Sequence, residues 1–276
     1  MQLASRFSRQ SPSLRSREPL TDDQLRHVAP SIFAEAKHGS RSERYTYIPT
    51  STVLTGLRKE GFEPFMVAQT RVRDEGKREF TKHMLRLRHA SQINDGEANE
   101  VILLNSHDGT SSYQMLAGMF RFVCTNGLVC GDTVADVRVK HQGQIIDDVI
   151  EGAFEILDGF DMVRESRDNM RSVKLDTAEA DIFARSALAL KYEPTETSAP
   201  PVTESQVLSP RRAADSAPDL WSTFNRVQEN LVRGGLPART KNGRRQRTRA
   251  VDGLDNNVKI NRALWMLAEE MRRLKA

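Results

Sequence analysis

Apolar positions along this chain recur at two periods, and stretches with neither period separate them. Val53, Leu54 and Leu57 fall at helical spacing, with Thr50, Ser51 and Thr52 as caps and Gly61 as a stop, so 50–61 is predicted to be a helix. Residues 65–73 and 80–89 alternate with period two and read as strands, with Asp74-Glu75-Gly76-Lys77 as the hairpin turn between them. The run Val101 to Leu104 is continuously apolar, which suits a strand over 100–105 covered on both faces. After a turn at 106–110, Tyr113, Leu116, Ala117 and Phe120 share a helical face, so 111–122 is predicted to be a helix. A strand at 134–140 and a long amphipathic helix at 147–170 follow, then further helices at 177–190, 220–232 and 257–275. A short helix before these, 21–30, is capped by Thr21.

The order is helix, three strands, helix, strand, then helices. It predicts an α+β fold: a small antiparallel sheet with helices packed on it and a helical C-terminal part. Residues 1–20 are polar and read as disordered. Residues 21–191 form the expected α+β core, 192–219 (rich in Pro, Thr, Ser and Glu) a linker, and 220–276 a helical segment carrying a basic loop.

Composition narrows the class. The chain has 276 residues, 38% hydrophobic and 28% charged, enough for a real core under a charged surface. It contains no apolar stretch approaching 18 residues and no apolar segment near its start, so a cytoplasmic protein without membrane contact is expected. Two cysteines, Cys124 and Cys130, in apolar surroundings suit buried thiols in a reducing compartment.

No phosphate-binding glycine loop, nucleophile elbow or zinc spacing is present, so no catalytic residue, metal or cofactor is assigned. The dipeptide His107-Asp108 has two readings. It could serve a metal-dependent nuclease or hydrolase, or the stretch Asn105-Ser106-His107-Asp108-Gly109 is simply turn chemistry. Asp147, Asp148 and Glu151 suit a helix start on electrostatic grounds alone.

The net charge of +4 is unevenly spread, and its distribution is the stronger functional signal. Arg71, Arg73, Lys82, Arg86 and Arg88 project from the two alternating strands, interleaved with Phe80, and Arg121 follows in the next element. Cations among aromatic rings suit single-stranded nucleic acid, with charges on phosphates and rings on bases. The rival reading is an ordinary charged sheet face. A second basic run, 239–249, holds six cations and no acid, including Arg244, Arg245, Arg247 and Arg249; it reads as a polyanion contact or a solvated loop. Trp221, Phe224, Trp265 and Met266 on the C-terminal helices are either core or anchors for a host protein partner.

The stretches HMLRLRH (83–89), EVILLNSHDGTSSYQMLAGMFRFVCTNGLV (100–129), LWSTFNRVQENLVRGG (220–235) and NRALWMLAEEM (261–271) resemble a plasmid- and phage-associated bacterial family of unknown function that includes the YfjQ and YafZ proteins. The resemblance runs from about Tyr45 to the end. It implies a mobile-element protein of the bacterial cytoplasm and supplies no catalytic residues. The predicted order helix, hairpin, third strand, helix also resembles the core of phage single-strand annealing proteins of the RecT and Redβ type, which implies a homo-oligomer that binds single-stranded DNA.

Overall fold

In the computed structural model, the first helix, α1 (Asp22–Val28), starts where a capping box closes. The Thr21 hydroxyl accepts from the Gln24 amide, and the Gln24 side chain accepts from the Thr21 amide. The structure describes residues 12–39, 47, 49–72, 75–92, 97–122, 126–131, 133–140, 144–192, 199–239 and 244–275. Arg73, Cys124 and the N-terminal 1–11 of the expected disordered stretch lie outside them. Helix α2 (Thr50–Lys59) buries Val53, Leu54 and Leu57, and Gly61, at φ +87°, turns the chain out of it.

The sheet is antiparallel. Its order is β1 (Ser13–Arg15), β2 (Phe62–Gln69), β3 (His83–His89), β4 (Glu97–Asn105), β5 (Tyr113–Arg121) and β6 (Asn126–Val129), with β7 (Val137–Val139) also paired to β5. Pro64 is tolerated within β2 because the ladder shifts register between Pro64 and Met66. The β2–β3 connection is longer than the expected four-residue turn. Strand β2 stops at Gln69, whose side-chain amide donates to the Arg78 carbonyl of a 3₁₀ turn, Glu75–Phe80.

Residues 113–121 form a strand, where a helix was expected. Nearly every residue from Met115 to Arg121 is buried, so apolar side chains occupy both faces and helical spacing was satisfied by coincidence. Eight residue pairs, from Glu97–Arg121 to Leu104–Gln114, lock the segment to β4, and Gly118, a poor helix residue, sits opposite Glu100. The expected helix 147–170 is two helices, α3 (Ile145–Asp158) and α4 (Phe160–Ser172). They part at Gly159, where a Cβ would lie 2.7 Å from both Val134 methyls.

One face of the sheet packs on α2 and α3. Val67, Leu85, Leu103 and Met115 stand in register across four strands, and Met115 meets Gly152 of α3. The other face is buried too, and it is polar at its centre. Arg86 donates to Glu100 at 2.9 Å and Arg88 to the other carboxylate oxygen at 2.8 Å, with all three side chains at most 1% exposed. Burial by itself would raise the Glu100 carboxyl, yet Arg86, Arg15 and Arg88 outweigh it and hold it below its ordinary value. Three cations meet one acid, and aromatic faces take the excess. Phe120 lies between Arg88 (4.5 Å) and Arg15 (4.6 Å), and Phe65 faces Arg88 at 4.3 Å.

The chain divides into two units, the described residues up to Gly127 with Val134–Phe160, and Leu128–Thr133 with the residues from Asp161 onward. The second unit contains α5 (Thr177–Tyr192), α6 (Glu204–Leu208), α7 (Leu220–Arg233), a hairpin of β8 (Pro237–Arg239) and β9 (Arg245–Arg247), and α8 (Leu254–Leu274). Helix α5 is capped by reciprocal Asp176–Glu179 bonds. Trp221, Phe224 and Trp265 are buried with ring centroids 5.6–6.1 Å apart, while Met266 remains exposed. The stretch expected as a linker is bound to α7 from Glu204 on. Asn230 donates to the Val207 and Ser209 carbonyls, and Arg212 pairs with buried Glu229.

Removing the Glu100 carboxylate strands two buried guanidinium groups. Glu100→Ala should lower the unfolding free energy by about 3–5 kcal/mol, read from urea denaturation. A loss below about 1 kcal/mol would mean that water reaches the pair in solution.

Candidate nucleic-acid interface

The cations expected on one open sheet face are divided by the fold. Arg86 and Arg88 do alternate as expected, but their face is covered and their guanidinium groups are engaged by Glu100, so they are not available to a phosphate. Arg121 is 7% exposed and pairs with Glu97, its cross-strand neighbour, at 3.7 Å. Arg71 is exposed just after β2, Lys82 is half-buried just before β3, and Phe80 is half-buried with its ring edge-on to His38.

The second basic run does form an open face. In the β8–β9 ladder Arg239 lies opposite Arg245 and Pro237 opposite Arg247. Side chains alternate along a strand, so Arg239, Arg245 and Arg247 share one side of the hairpin, and all three residues are exposed. Ala238, on the opposite side, is buried. The base is held by backbone bonds from Gly235 to the Thr248 carbonyl and from Thr248 to the Leu236 carbonyl, at 2.8 and 2.9 Å. Arg244 and Arg249, also exposed, flank β9. Arg239 falls within the basic run recognised in the sequence, but only its register shows that it adds to the face.

His107 and Asp108 point apart. The Asp108 carboxylate accepts from the Thr110 amide (3.0 Å) and hydroxyl (2.6 Å) of its own turn. Burial would raise it, but these bonds hold it below its usual value. The His107 ring turns inward, fully buried, beside Tyr47 and His83. No group of three His, Cys, Asp or Glu residues able to hold a metal ion occurs among the described residues.

His107 Nε2 lies 3.4 Å from Thr50 Oγ1, a member of a buried polar chain that runs through five elements. The Ser31 hydroxyl stands 2.8 Å from both Gln69 Oε1 and His83 Nδ1. Thr50 Oγ1 is 2.9 Å from His83 Nε2 and accepts from Asn105 Nδ2 at 3.0 Å. The donors and acceptors fit one direction. Asn105 donates to Thr50, Thr50 to His83 Nε2, His83 Nδ1–H to Ser31, and Ser31 to Gln69, whose Oε1 also takes the Ser31 amide at 3.2 Å. That direction requires a neutral His83. Thr50, expected as a helix cap, is the hub of this chain, which sequence spacing does not reveal.

Comparison with known proteins matches residues 37–265 to the family described as Domain of unknown function (DUF932). The chain belongs to this family. Two relatives from Escherichia coli strain K12, UPF0380 protein YafZ and UPF0380 protein YfjQ, are each 55% identical to this DUF932 chain over 269 residues, which is 98% of this chain and 97% of the relative. The DUF932 match takes in the buried histidines and the arginine hairpin alike. No solved structure matches. The element order that resembled the annealing proteins breaks in this DUF932 fold at β5, a strand where that core has a helix. No helix among the described residues is long and apolar enough to cross a membrane.

The histidine chain makes a pH prediction. Burial, together with neighbouring His107, lowers His83 well below its ordinary value, against a smaller opposing pull from the Thr81 carbonyl. An unfolded histidine titrates near 6.5, so the stability that neutral His83 contributes is complete above about pH 6.5 and is lost as pH falls below it. Urea midpoints should be flat from about pH 7 to 8 and fall between about pH 6.5 and 5. His83→Gln should flatten that fall; an unchanged slope would assign it to other groups.

Proposed function

We propose that this protein binds nucleic acid through its phosphates, with the arginine face of the β8–β9 hairpin as the contact surface. The observation that carries the proposal is the register of the hairpin, which stacks Arg239 against Arg245 on an exposed face beside Arg247. Like charges directly opposite one another destabilise a strand pair. The run 239–249 contains no acid to offset them, and a polyanion would supply the opposite charge. Arg244 and Arg249 extend the same basic element.

The chemistry favours phosphate contact over base reading. The exposed large apolar side chains among the described residues are Met162, Ile182, Leu190, Met266 and Leu274, none of them aromatic. Phe65 lies beneath Arg88 and Phe80 against His38. Strong selectivity for single strands usually draws on exposed rings that stack with bases. Single-stranded DNA and duplex therefore compete for one surface, and affinity depends steeply on salt. Handling of the DNA of a plasmid or phage in the cytoplasm is the setting that this activity fits.

Fluorescence anisotropy with a labelled single-stranded oligonucleotide, competed by duplex across a salt series, tests the proposal. Arg245→Ala and Arg247→Ala should each weaken binding and reduce the slope of log affinity against log salt by about 0.7 on single strands and about 0.9 on duplex. Arg71→Ala, on the other unit, should leave the slope unchanged. Unaltered affinity in the Arg245→Ala/Arg247→Ala double variant would remove the hairpin from the contact.

A further inference from the structure

The arginine face is open, but its base is tied down, and one side chain joins three segments there. Lys191, in the last turn of α5, donates from Nζ to the Leu231 carbonyl in the last turn of α7 at 2.5 Å and to the Arg249 carbonyl just after β9 at 3.1 Å. It therefore clamps the strand leaving the hairpin to the helix that enters it. Its neighbours are backbone and aromatic groups rather than a carboxylate in direct contact. The Tyr192 ring lies 5.2 Å from Nζ, and Asp252 acts only at a distance. Arg211 holds the next link by donating to the Gly234 carbonyl, and the Arg249 side chain points to solvent.

We infer that Lys191 is a positioning residue for nucleic-acid binding: it fixes the base of the β8–β9 hairpin so that the arginine face is held ready, without itself touching the ligand. The inference rests on the proposed hairpin contact. Its physical basis is that hydrogen bonds from a charged donor are the stronger ones, and this donor spans both ends of the excursion between α7 and α8. Rigidity in the bound geometry raises affinity by removing an ordering cost.

Burial lowers the Lys191 ammonium to about 8, while Asp252 pulls the other way. The clamp therefore loses its charge as pH rises through about 8. Tyr192 is raised by burial above its ordinary value, so it does not titrate in this window.

The test uses the full chain with Lys191→Met, which keeps the aliphatic stem, and Lys191→Arg, which keeps the charge. Hydrogen exchange at the Gly235 and Thr248 amides reads the hairpin base without any ligand, and single-strand anisotropy reads binding. Lys191→Met should speed exchange at those amides by about tenfold and weaken binding several-fold, with an unchanged salt slope because no phosphate contact is removed. The wild type should lose affinity between about pH 7.5 and 9, Lys191→Met should show no such loss, and Lys191→Arg should hold its affinity through pH 9. Unchanged exchange in Lys191→Met overturns the clamp, and faster exchange with unchanged affinity overturns its positioning role. A salt slope lowered by a full contact would make Lys191 a phosphate ligand instead. Should the Arg245→Ala/Arg247→Ala variant keep full affinity, the hairpin contact fails, while the exchange result still judges the clamp.

Discussion

The sheet is organised around one carboxylate. Glu100 of β4 bonds both Arg86 and Arg88 of β3, and all three side chains are at most 1% exposed. Burying charges is costly, and the attraction between them repays the cost only when the geometry holds. Everything near this group follows from that demand. Strand β1 brings Arg15 towards it, and Phe120 and Phe65 present ring faces to the surplus cations. Gly127 belongs to the same arrangement, since a Cβ there would lie 2.6 Å from the Arg86 guanidinium carbon.

The same logic recurs without charge at the end of the sheet where α2 begins. Ser31, Gln69, Thr50, His83 and Asn105 satisfy one another in a single direction, joining the 3₁₀ turn after α1, helix α2 and strands β2 to β4. A slipped strand register would break several of these bonds together, so the polar chain sets the register as well as contributing stability. In the second unit, Glu229 and Asn230 of α7 do comparable work by capturing Arg212, Arg233, Arg211 and the carbonyls of the preceding segment. Polar groups inside both units thus specify which segments meet.

Against this background the β8–β9 hairpin is the exception. Arg86, Arg88 and Arg121 of the sheet pair with carboxylates inside the fold, whereas Arg239, Arg245 and Arg247 lie on one exposed side of the hairpin, where Arg247 also donates to the Gly235 carbonyl at 2.8 Å, with Ala238 buried on the other. Its base is stitched to α5 and α7 while its face remains open. An element that is anchored at its root and strongly charged on its face is suited to meeting a large anion, because the ordering cost is met before binding.

Much of the framework was legible in the chain itself. The period-two alternation of residues 83–89, the capping box at Thr21, the stop at Gly61 and the basic run at 239–249 depend on interactions within a few residues, and all are visible locally. The resemblance to the YfjQ and YafZ family was likewise carried by short stretches of sequence. The strand at 113–121 was not legible, because a segment buried on both faces satisfies helical and extended spacing equally, and pairing with β4 decides between them. Nor could alternation say whether Arg86 and Arg88 face water or Glu100, since it separates two faces without naming what covers each. The roles of Thr50, His83 and Lys191 also belong to the tertiary structure. Their partners lie 33 to 58 residues away, and only the folded chain brings such groups within a hydrogen bond.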